Sequence, residues 1–205
     1  EILSGLVGSE MCIRDRFDDI YIHQLDALIR DIPLCSNNIA NRSTWPFGQE
    51  GTHRLLGQIL FDRKSINRIT VLHESVSTFF DVFEMIEDKL QTKFYLSQIS
   101  LNVQHTGCDG TTHCDSNNPN DFTIMIMTNS KWQQSWGGQF QLTSNDGSVV
   151  IEEHEYKPGR LIVIPSTHPH RGLGPTEKYI YRSTVVFRVT PRMVKSTEKN
   201  FWEGA

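Results

Sequence analysis

Residues 110–115 read Gly-Thr-Thr-His-Cys-Asp, and they place His113 and Asp115 two positions apart. A second histidine-containing stretch, Thr167-His168-Pro169-His170, lies far along the chain after an apolar run. In a β-strand, residues i and i+2 point to the same face, so His113 and Asp115 can approach one metal ion from one strand end. A third ligand must come from elsewhere, because one strand cannot supply three ligands on one face of an octahedron.

Two imidazoles and one carboxylate form the facial triad that holds non-haem Fe(II) and leaves coordination positions open. The third ligand is His170 or His168, and strand parity does not choose between them, because they also lie two residues apart. A His-x-Asp pair alone is a weak signal, since motifs this short occur by chance. The interpretation as a metal site therefore depends on the rest of the chain.

Length and composition predict a soluble globular protein. With 205 residues the chain can bury a sizeable core, and its hydrophobic (38%) and charged (21%) fractions are ordinary. No run approaches the ~18 apolar residues of a membrane-spanning helix. The net charge of -4 gives no basic footprint, which argues against a nucleic-acid substrate. The four cysteines lack zinc-type or secreted-scaffold spacing, so we expect a reduced, cytoplasmic setting.

Residues 1–16 do not read as the start of a folded domain. They lack the basic start and the small-residue cleavage site of a signal peptide, and they resemble translated sequencing-adapter read-through. We therefore predict a non-native or disordered leader, the alternative being a native N-terminal segment. The remainder, 17–205, is predicted to be a single domain with helical support at 17–92, a β-rich core at 93–190 and a C-terminal tail at 191–205.

Helical periodicity marks the N-terminal part of this domain. Apolar residues recur at helical spacing over Phe17–Ile32, and Pro33 ends the run. A second amphipathic helix is predicted over Ser75–Leu90. Between the two, Ser36–Gly51 reads as an irregular loop, and Gly57–Thr70 fits neither period.

After residue 92 the periodicity changes to two. Lys93–Val103 alternates as a half-buried strand, and its parity slips between Leu96 and Ile99, which predicts a β-bulge. Further strand-like segments follow at 121–128, 138–142, 149–152, 160–164 and 179–189. Asn145-Asp146-Gly147 predicts a tight hairpin. N-terminal helices followed by many short strands predict a mainly β fold, either a small barrel or a double-sheet jelly roll with helices on one side.

An ordered set of motifs runs from Leu101 to Val189. They are Asn102-x-Gln104, the turn Gly107-Cys-Asp-Gly110, His113-x-Asp115, Asn129-x-x-Trp132, Trp136-Gly-Gly138, Lys157-Pro-Gly-Arg160, Pro169-His170 and Arg182-Ser-Thr184. Together they resemble the 2-oxoglutarate- and Fe(II)-dependent dioxygenases, in particular the prolyl 4-hydroxylase-like branch. The resemblance covers under half of the chain and implies a double-stranded β-helix core, the cupin-like form of the jelly roll.

The resemblance implies that His113, Asp115 and His170 are the catalytic iron ligands. It favours His170 over His168, because the family ligand follows a proline, here Pro169. His168 is then a loop residue or a partner that orients a ligand. The presence of Asp115 implies hydroxylation, because an iron without this carboxylate has room for a halide.

For the cosubstrate, the resemblance implies that Arg182 binds the 5-carboxylate of 2-oxoglutarate. The planar fork of arginine suits a carboxylate better than lysine does. Thr184 shares the strand face of Arg182. Asn102 and Gln104 share a strand face and are expected to line the same pocket, the alternative being that they only satisfy local hydrogen bonds. Met127 departs from the pattern, since close prolyl-hydroxylase relatives often place a tyrosine there on this carboxylate.

The leading interpretation is a dioxygenase that hydroxylates a prolyl or similar residue of a peptide or protein. It would use Fe(II), 2-oxoglutarate and O2, with ascorbate as reductant, and release succinate and CO2. A second interpretation is a nucleic-acid-demethylating member of the same superfamily, which Arg182-x5-Arg188 and Asn102 resemble. The net negative charge and the absence of a basic lid segment oppose it. A third is a non-catalytic cupin-like binding module, which normally carries more closely spaced histidines.

Overall fold

The structure is a computed structural model and describes residues 12–14, 17–38, 55–63 and 76–192. Its elements in chain order are β1 (Cys12–Arg14), α1 (Asp19–Arg30), β2 (Cys35–Asn38), β3 (Leu55–Asp62), α2 (Val76–Leu90), β4 (Phe94–His105), β5 (Phe122–Met127), a 3-10 turn (Gln134–Trp136), β6 (Phe140–Thr143), β7 (Val150–His154), β8 (Leu161–Pro165), β9 (His170–Gly172) and β10 (Tyr181–Pro191).

Both predicted helices are confirmed. Helix α1 begins after Asp18, whose carboxylate accepts the backbone N–H of Ile20 at 2.8 Å and so satisfies one of the free donors of the first turn. Helix α2 buries an apolar stripe at helical spacing that includes Phe79 and Ile86. In the described ranges, neither helix is long and apolar enough to cross a membrane.

Two antiparallel sheets form the body of the protein. The larger has the strand order β1-β8-β5-β10-β4-β3-β2, and the smaller has the order β7-β6-β9. The helices and the outer face of the large sheet share one apolar cluster, and a second cluster lies between the sheets. Non-sequential neighbours such as β5-β10-β4 are the crossovers of a jelly roll. The predicted double-stranded β-helix with N-terminal helices is confirmed.

The predicted bulge in β4 is confirmed by its pairing with β10. Gln98 pairs with Arg188 and Leu96 pairs with Val189, so Ser97 is the extra residue. This insertion keeps the apolar residues on both sides of it, from Phe94 to Val103, on the face that packs against the helices. The polar residues beyond the bulge, 98, 100, 102 and 104, point to the opposite face.

The predicted hairpin also forms. Strands β6 and β7 pair across a turn in which Gly147 takes a left-handed backbone with φ 72°, a conformation that glycine adopts without strain. The N–H of Ser144 donates to the carbonyl of Val149 at 2.8 Å and closes the turn.

Four strands differ from what the sequence pattern indicates. Strand β2 lies at Cys35–Asn38, where we predicted that an irregular loop begins at Ser36, and the rest of that predicted loop, 39–51, lies outside the described residues. Strand β3 lies where we found neither period, because its own bulge at Leu60 breaks the alternation. Strand β9 has three residues, too few to show a period. Strand β1 lies in the segment that we predicted to be a leader, and its backbone pairs with Leu161–Val163 of β8. The predicted tail lies, beyond Arg192, outside the described residues.

Candidate active site

A cavity of about 290 Å³ lies between the two sheets. Its polar lining comes from alternate residues of the neighbouring strands β4 and β10, because side chains two apart on a strand share a face. Cross-strand pairs bring Gln104 opposite Arg182 and Gln98 opposite Arg188. The cavity-facing row of β10 therefore begins and ends with an arginine.

The donor atoms of His113, Asp115 and His170 converge at this cavity, all within 4.8 Å of one another. The Nε2 atom of His113 lies 3.6 Å from one carboxylate oxygen of Asp115, and the Nε2 atom of His170 lies 3.5 Å from the other. Donors bound at about 2.1 Å around one ion are separated by roughly 3 Å or slightly more. These three side chains therefore have the spacing of ligands of a single metal ion.

Backbone carbonyl groups orient both imidazoles. The Nδ1 atom of His113 lies 2.8 Å from the carbonyl oxygen of Thr111, and the Nδ1 atom of His170 lies 2.8 Å from that of His168. A carbonyl oxygen only accepts, so each Nδ1 carries the hydrogen and each Nε2 keeps its lone pair for a metal. The structure thus brings His170 to the site, and His168 contributes its carbonyl group.

His113 and His170 are also joined through their own backbones. The N–H of His113 donates to the carbonyl of His170 at 3.0 Å, and the reverse bond measures 2.9 Å. This bridge connects the segment before β5 in the large sheet to β9 in the small sheet. The side chain of His168 is absent from the cavity lining. Its pKa is lowered, mainly by burial and to a smaller extent by the nearby His170.

Asp115 is buried and held by two donors. An Nη2 hydrogen of Arg188 reaches one carboxylate oxygen at 2.7 Å, and the Thr123 hydroxyl reaches the other at 2.7 Å. Burial raises the pKa of Asp115, but the Arg188 guanidinium and the two imidazoles outweigh it and hold the pKa well below its usual range. The carboxylate is therefore ionised at neutral pH, as a metal ligand must be. Neither Arg188 nor Thr123 was among the predicted site residues.

Arg182 lies at the other end of the row, fully buried. Its Nε donates to the carbonyl of Gly138 at 2.8 Å, and its Nη1 donates to the Gln104 side-chain oxygen at 2.8 Å. Its Nη2 has no hydrogen-bond partner in the described part of the chain, and no carboxylate there pairs with it. Burial lowers the pKa of Arg182 to about 10, so the guanidinium stays protonated at neutral pH. A buried cation without a counter-ion is costly, and an anionic ligand relieves that cost.

The remaining predicted cosubstrate residues also line the cavity. Asn102 and Thr184 form the cross-strand pair next to Gln104 and Arg182. The Gln104 amide nitrogen donates to two backbone carbonyls, those of Cys108 at 2.9 Å and Gly172 at 2.8 Å. These bonds fix the amide so that its oxygen faces Arg182. The sequence motif contained Gln104, but the pattern did not indicate this pairing.

Met127 lies outside the cavity lining. It is fully buried, and its sulfur accepts the backbone N–H of Lys157 at 3.1 Å. A thioether also has no donor for a carboxylate. Met127 therefore does not substitute for the tyrosine that relatives place at this position.

The sequence from Ile99 to Arg188 matches the family model of the 2OG-Fe(II) oxygenase superfamily. This range contains the three converging side chains and Arg182. Residues 99–188 form a 2OG-Fe(II) oxygenase domain. The enzyme class predicted from the motifs, a 2-oxoglutarate-dependent dioxygenase, is thereby confirmed.

Solved structures share the fold of this oxygenase. A prolyl-4-hydroxylase from Pseudomonas putida is 16% identical with a TM-score of 0.62, and the match covers 93% of this chain and 97% of that one. A 2OG-Fe(II) oxygenase family oxidoreductase from Burkholderia pseudomallei is 16% identical with a TM-score of 0.67, covering 92% and 89%.

A prolyl hydroxylase from Trichoplax adhaerens, solved with a hypoxia inducible factor peptide fragment, is 16% identical with a TM-score of 0.56, covering 92% and 87%. Comparison with curated protein sequences gives no match. The fold of the oxygenase is therefore similar to that of prolyl hydroxylases. A sequence identity of 16% does not determine the substrate.

Proposed function

We propose that the oxygenase hydroxylates a prolyl or similar residue of a peptide or protein, using Fe(II), 2-oxoglutarate and O2, with ascorbate keeping the iron reduced. One observation carries the proposal. Two imidazoles and a carboxylate converge in a cavity that also contains Arg182, a buried cation without a carboxylate partner among the described residues. This combination fits a metal ion and an anionic cosubstrate in the same space.

Each residue has a role in binding or orientation. His113, Asp115 and His170 would hold Fe(II) on three positions and leave the others open. Arg182 would receive the 5-carboxylate of 2-oxoglutarate. The bound iron and cosubstrate supply the oxidation, in which O2 is consumed, 2-oxoglutarate becomes succinate and CO2, and a substrate C–H becomes C–OH. The protein's contribution is ligand geometry, a counter-charge and exclusion of water.

Asn102 and Thr184 would complete the cosubstrate pocket. Both line the cavity beside Arg182, and Thr184 is 1% exposed. An amide and a hydroxyl are neutral groups, so they adjust hydrogen bonding to the cosubstrate without adding charge. The charge of the distal carboxylate is thus matched by Arg182.

A polymer substrate would enter the cavity at the end opposite Arg182, where lining residues are partly exposed. Ile59, which lines it, is 45% exposed, and the side chain of Arg188 is 32% exposed. A peptide approaching this entrance would meet the metal site before the cosubstrate end, because Arg188 contacts Asp115 directly. The likeness to prolyl hydroxylases, one of them solved with a peptide, supports a peptide or protein substrate.

We also propose a reducing, cytoplasmic setting. Cys35, Cys108 and Cys114 carry free thiols. Free thiols persist where glutathione and thioredoxin keep them reduced. The measurement is the redox state of these thiols in protein isolated from its own cells: free thiols are expected, and a disulfide between any two of them would contradict the proposal.

The test of the reaction is succinate formation from 2-oxoglutarate in air with Fe(II) and ascorbate. Oxygenases of this kind turn over slowly without their prime substrate, so the assay needs no substrate guess. The wild type should form succinate, and Asp115→Ala should not, while its circular dichroism spectrum stays unchanged. Proline-containing peptides would then be screened by mass spectrometry for the gain of one oxygen atom.

Two outcomes would redirect the proposal. If succinate depends on Asp115 but no peptide is hydroxylated, methylated oligonucleotides are the next substrates to test, and demethylation of one would refute the peptide substrate. If no succinate forms, and the anaerobic protein with Fe(II) and 2-oxoglutarate lacks a metal-to-ligand charge-transfer absorption, the chain is a non-catalytic binding module and the proposal is wrong.

A further inference from the structure

The Arg182 guanidinium rests on the face of an aromatic ring. Its Cζ lies 5.2 Å from the ring centroid of Tyr156, and the ring of Trp132 packs against Tyr156 at a centroid distance of 4.3 Å. Both Arg182 and Tyr156 are buried. A cation over an aromatic face is attracted by the ring quadrupole, most strongly where water is excluded.

The Tyr156 hydroxyl is bonded away from the cavity. It lies 2.7 Å from the Asn129 side-chain oxygen and 2.6 Å from the carbonyl of Ser183, and it accepts the backbone N–H of Asn129 at 2.9 Å. Tyr156 is also absent from the cavity lining. These bonds fix the position of the hydroxyl end of the ring and leave no hydroxyl hydrogen for a ligand, so Tyr156 can influence a cosubstrate only through Arg182.

Hydrogen bonds to other residues fix the direction in which the Arg182 guanidinium points over the Tyr156 ring. The bonds to Gly138 and Gln104 hold Nε and Nη1, and Nη2 is left without a partner in the described residues. There is little space for another pose. A Cβ on Gly138 would lie 2.7 Å from Trp132 and 3.3 Å from the Arg182 Cδ, and a Cβ on Gly172 would lie 3.2 Å from Nη1.

We propose that Tyr156 is a positioning residue that holds the Arg182 guanidinium in the orientation that receives the distal carboxylate of the cosubstrate. The inference rests on the proposed function, in which Arg182 binds the 5-carboxylate of 2-oxoglutarate. Its consequence is that Tyr156 makes the site selective for a 2-oxo acid with a second carboxylate over one without it. Since Met127 provides no donor, this selectivity depends on how firmly the single guanidinium is held.

The experiment compares two cosubstrates in the anaerobic Fe(II) protein. 2-Oxoglutarate and 2-oxopentanoate share the 2-oxo acid head and chain length, but the second lacks the distal carboxylate. Their dissociation constants are measured by the metal-to-ligand charge-transfer absorption of the complex in the wild type, Tyr156→Phe, Tyr156→Met and Arg182→Met. Tyr156→Phe keeps the ring, while Tyr156→Met fills a similar volume with a flexible side chain.

Tyr156→Met should weaken the binding of 2-oxoglutarate about 5- to 30-fold, which corresponds to the loss of a desolvated cation–π contact. It should change the dissociation constant of 2-oxopentanoate less than twofold. Tyr156→Phe should stay within about threefold of the wild type for both acids. If Tyr156→Met weakens both acids equally, the residue is merely structural and the inference is wrong. Unchanged binding of both acids in this variant would also overturn it.

Ring fluorination keeps the test available if Tyr156→Met does not fold. Replacement by phenylalanine with one, two or three ring fluorines lowers the ring quadrupole stepwise at nearly constant volume, so 2-oxoglutarate affinity should fall stepwise while 2-oxopentanoate affinity stays level. A flat series would refute the role of the ring. Failure of the proposed function looks different: wild type and Arg182→Met would then bind 2-oxoglutarate and 2-oxopentanoate equally well.

Discussion

Replacing Arg188 with methionine should weaken Fe(II) binding by the oxygenase about tenfold. The lost contact is the 2.7 Å bond from Nη2 to the Asp115 carboxylate. A hydrogen bond between charged groups contributes about 1.5–3 kcal/mol, which corresponds to roughly 10- to 150-fold in affinity. The side chain of Arg188 is 32% exposed, and its charge also repels a metal ion, so the lower end of this range applies.

The assay is an anaerobic titration with Fe(II), repeated with redox-stable Mn(II). Arg192→Met is the matched control: it makes the same replacement near the end of the same strand, but Arg192 donates to the carbonyl of Phe94 at 2.9 Å and not to Asp115. Thr123→Val removes the neutral donor on the other carboxylate oxygen and should cost less, about threefold. If folded Arg188→Met binds Fe(II) within twofold of the Arg192→Met control, Arg188 does not orient the ligand.

Three further predictions concern the ligand set and stability. His170→Ala should lose iron on desalting and His168→Ala should retain it, because only the first side chain reaches the site. Asp26→Asn should lower the free energy of unfolding at pH 7 by about 1–2 kcal/mol, since the carboxylate accepts from the backbone and hydroxyl of Ser130. Burial raises the pKa of Asp26, but the hydrogen bonds from Ser130 and Arg30 lower it overall. The stabilisation by Asp26 should therefore be fully present above the pKa of about 4 in the unfolded chain, and it should be lost as the pH falls through the lower pKa of the folded protein. Gly174→Ala should lower stability by about 1–3 kcal/mol, because its Cβ would lie 2.8 Å from a backbone carbonyl oxygen.

Each of these predictions has a result that would contradict it. Iron retained by His170→Ala and lost by His168→Ala would exchange the roles of the two histidines. For Asp26→Asn, urea unfolding at pH 7 and pH 3 should show a difference from the wild type that shrinks at pH 3, and a constant difference would exclude the ionised carboxylate as its cause. A Gly174→Ala variant that melts at the wild-type temperature would mean that the carbonyl moves aside freely.

The helices, the β4 bulge and the hairpin were predictable because each depends on the pattern of residues that are close together in the sequence. Ligand spacing likewise pointed to His113 and Asp115. The contact of Arg188 with Asp115 joins residues 73 positions apart, and parity shows only that Arg182 and Arg188 share a face. The position of Tyr156 beneath Arg182 was not predictable either, since it lies between β7 and β8 and in no periodic segment.

The alternation of side chains along β4, restored beyond the bulge at Ser97, separates two kinds of selection on one strand. On one side of β4, Leu101 and Val103 pack in the core with the helices, and on the other, Asn102 and Gln104 line the cavity. Substitutions that alter the chemistry can therefore accumulate on the cavity face without loosening the core. A strand with this division lets one scaffold acquire new substrates while its folding stability is inherited unchanged.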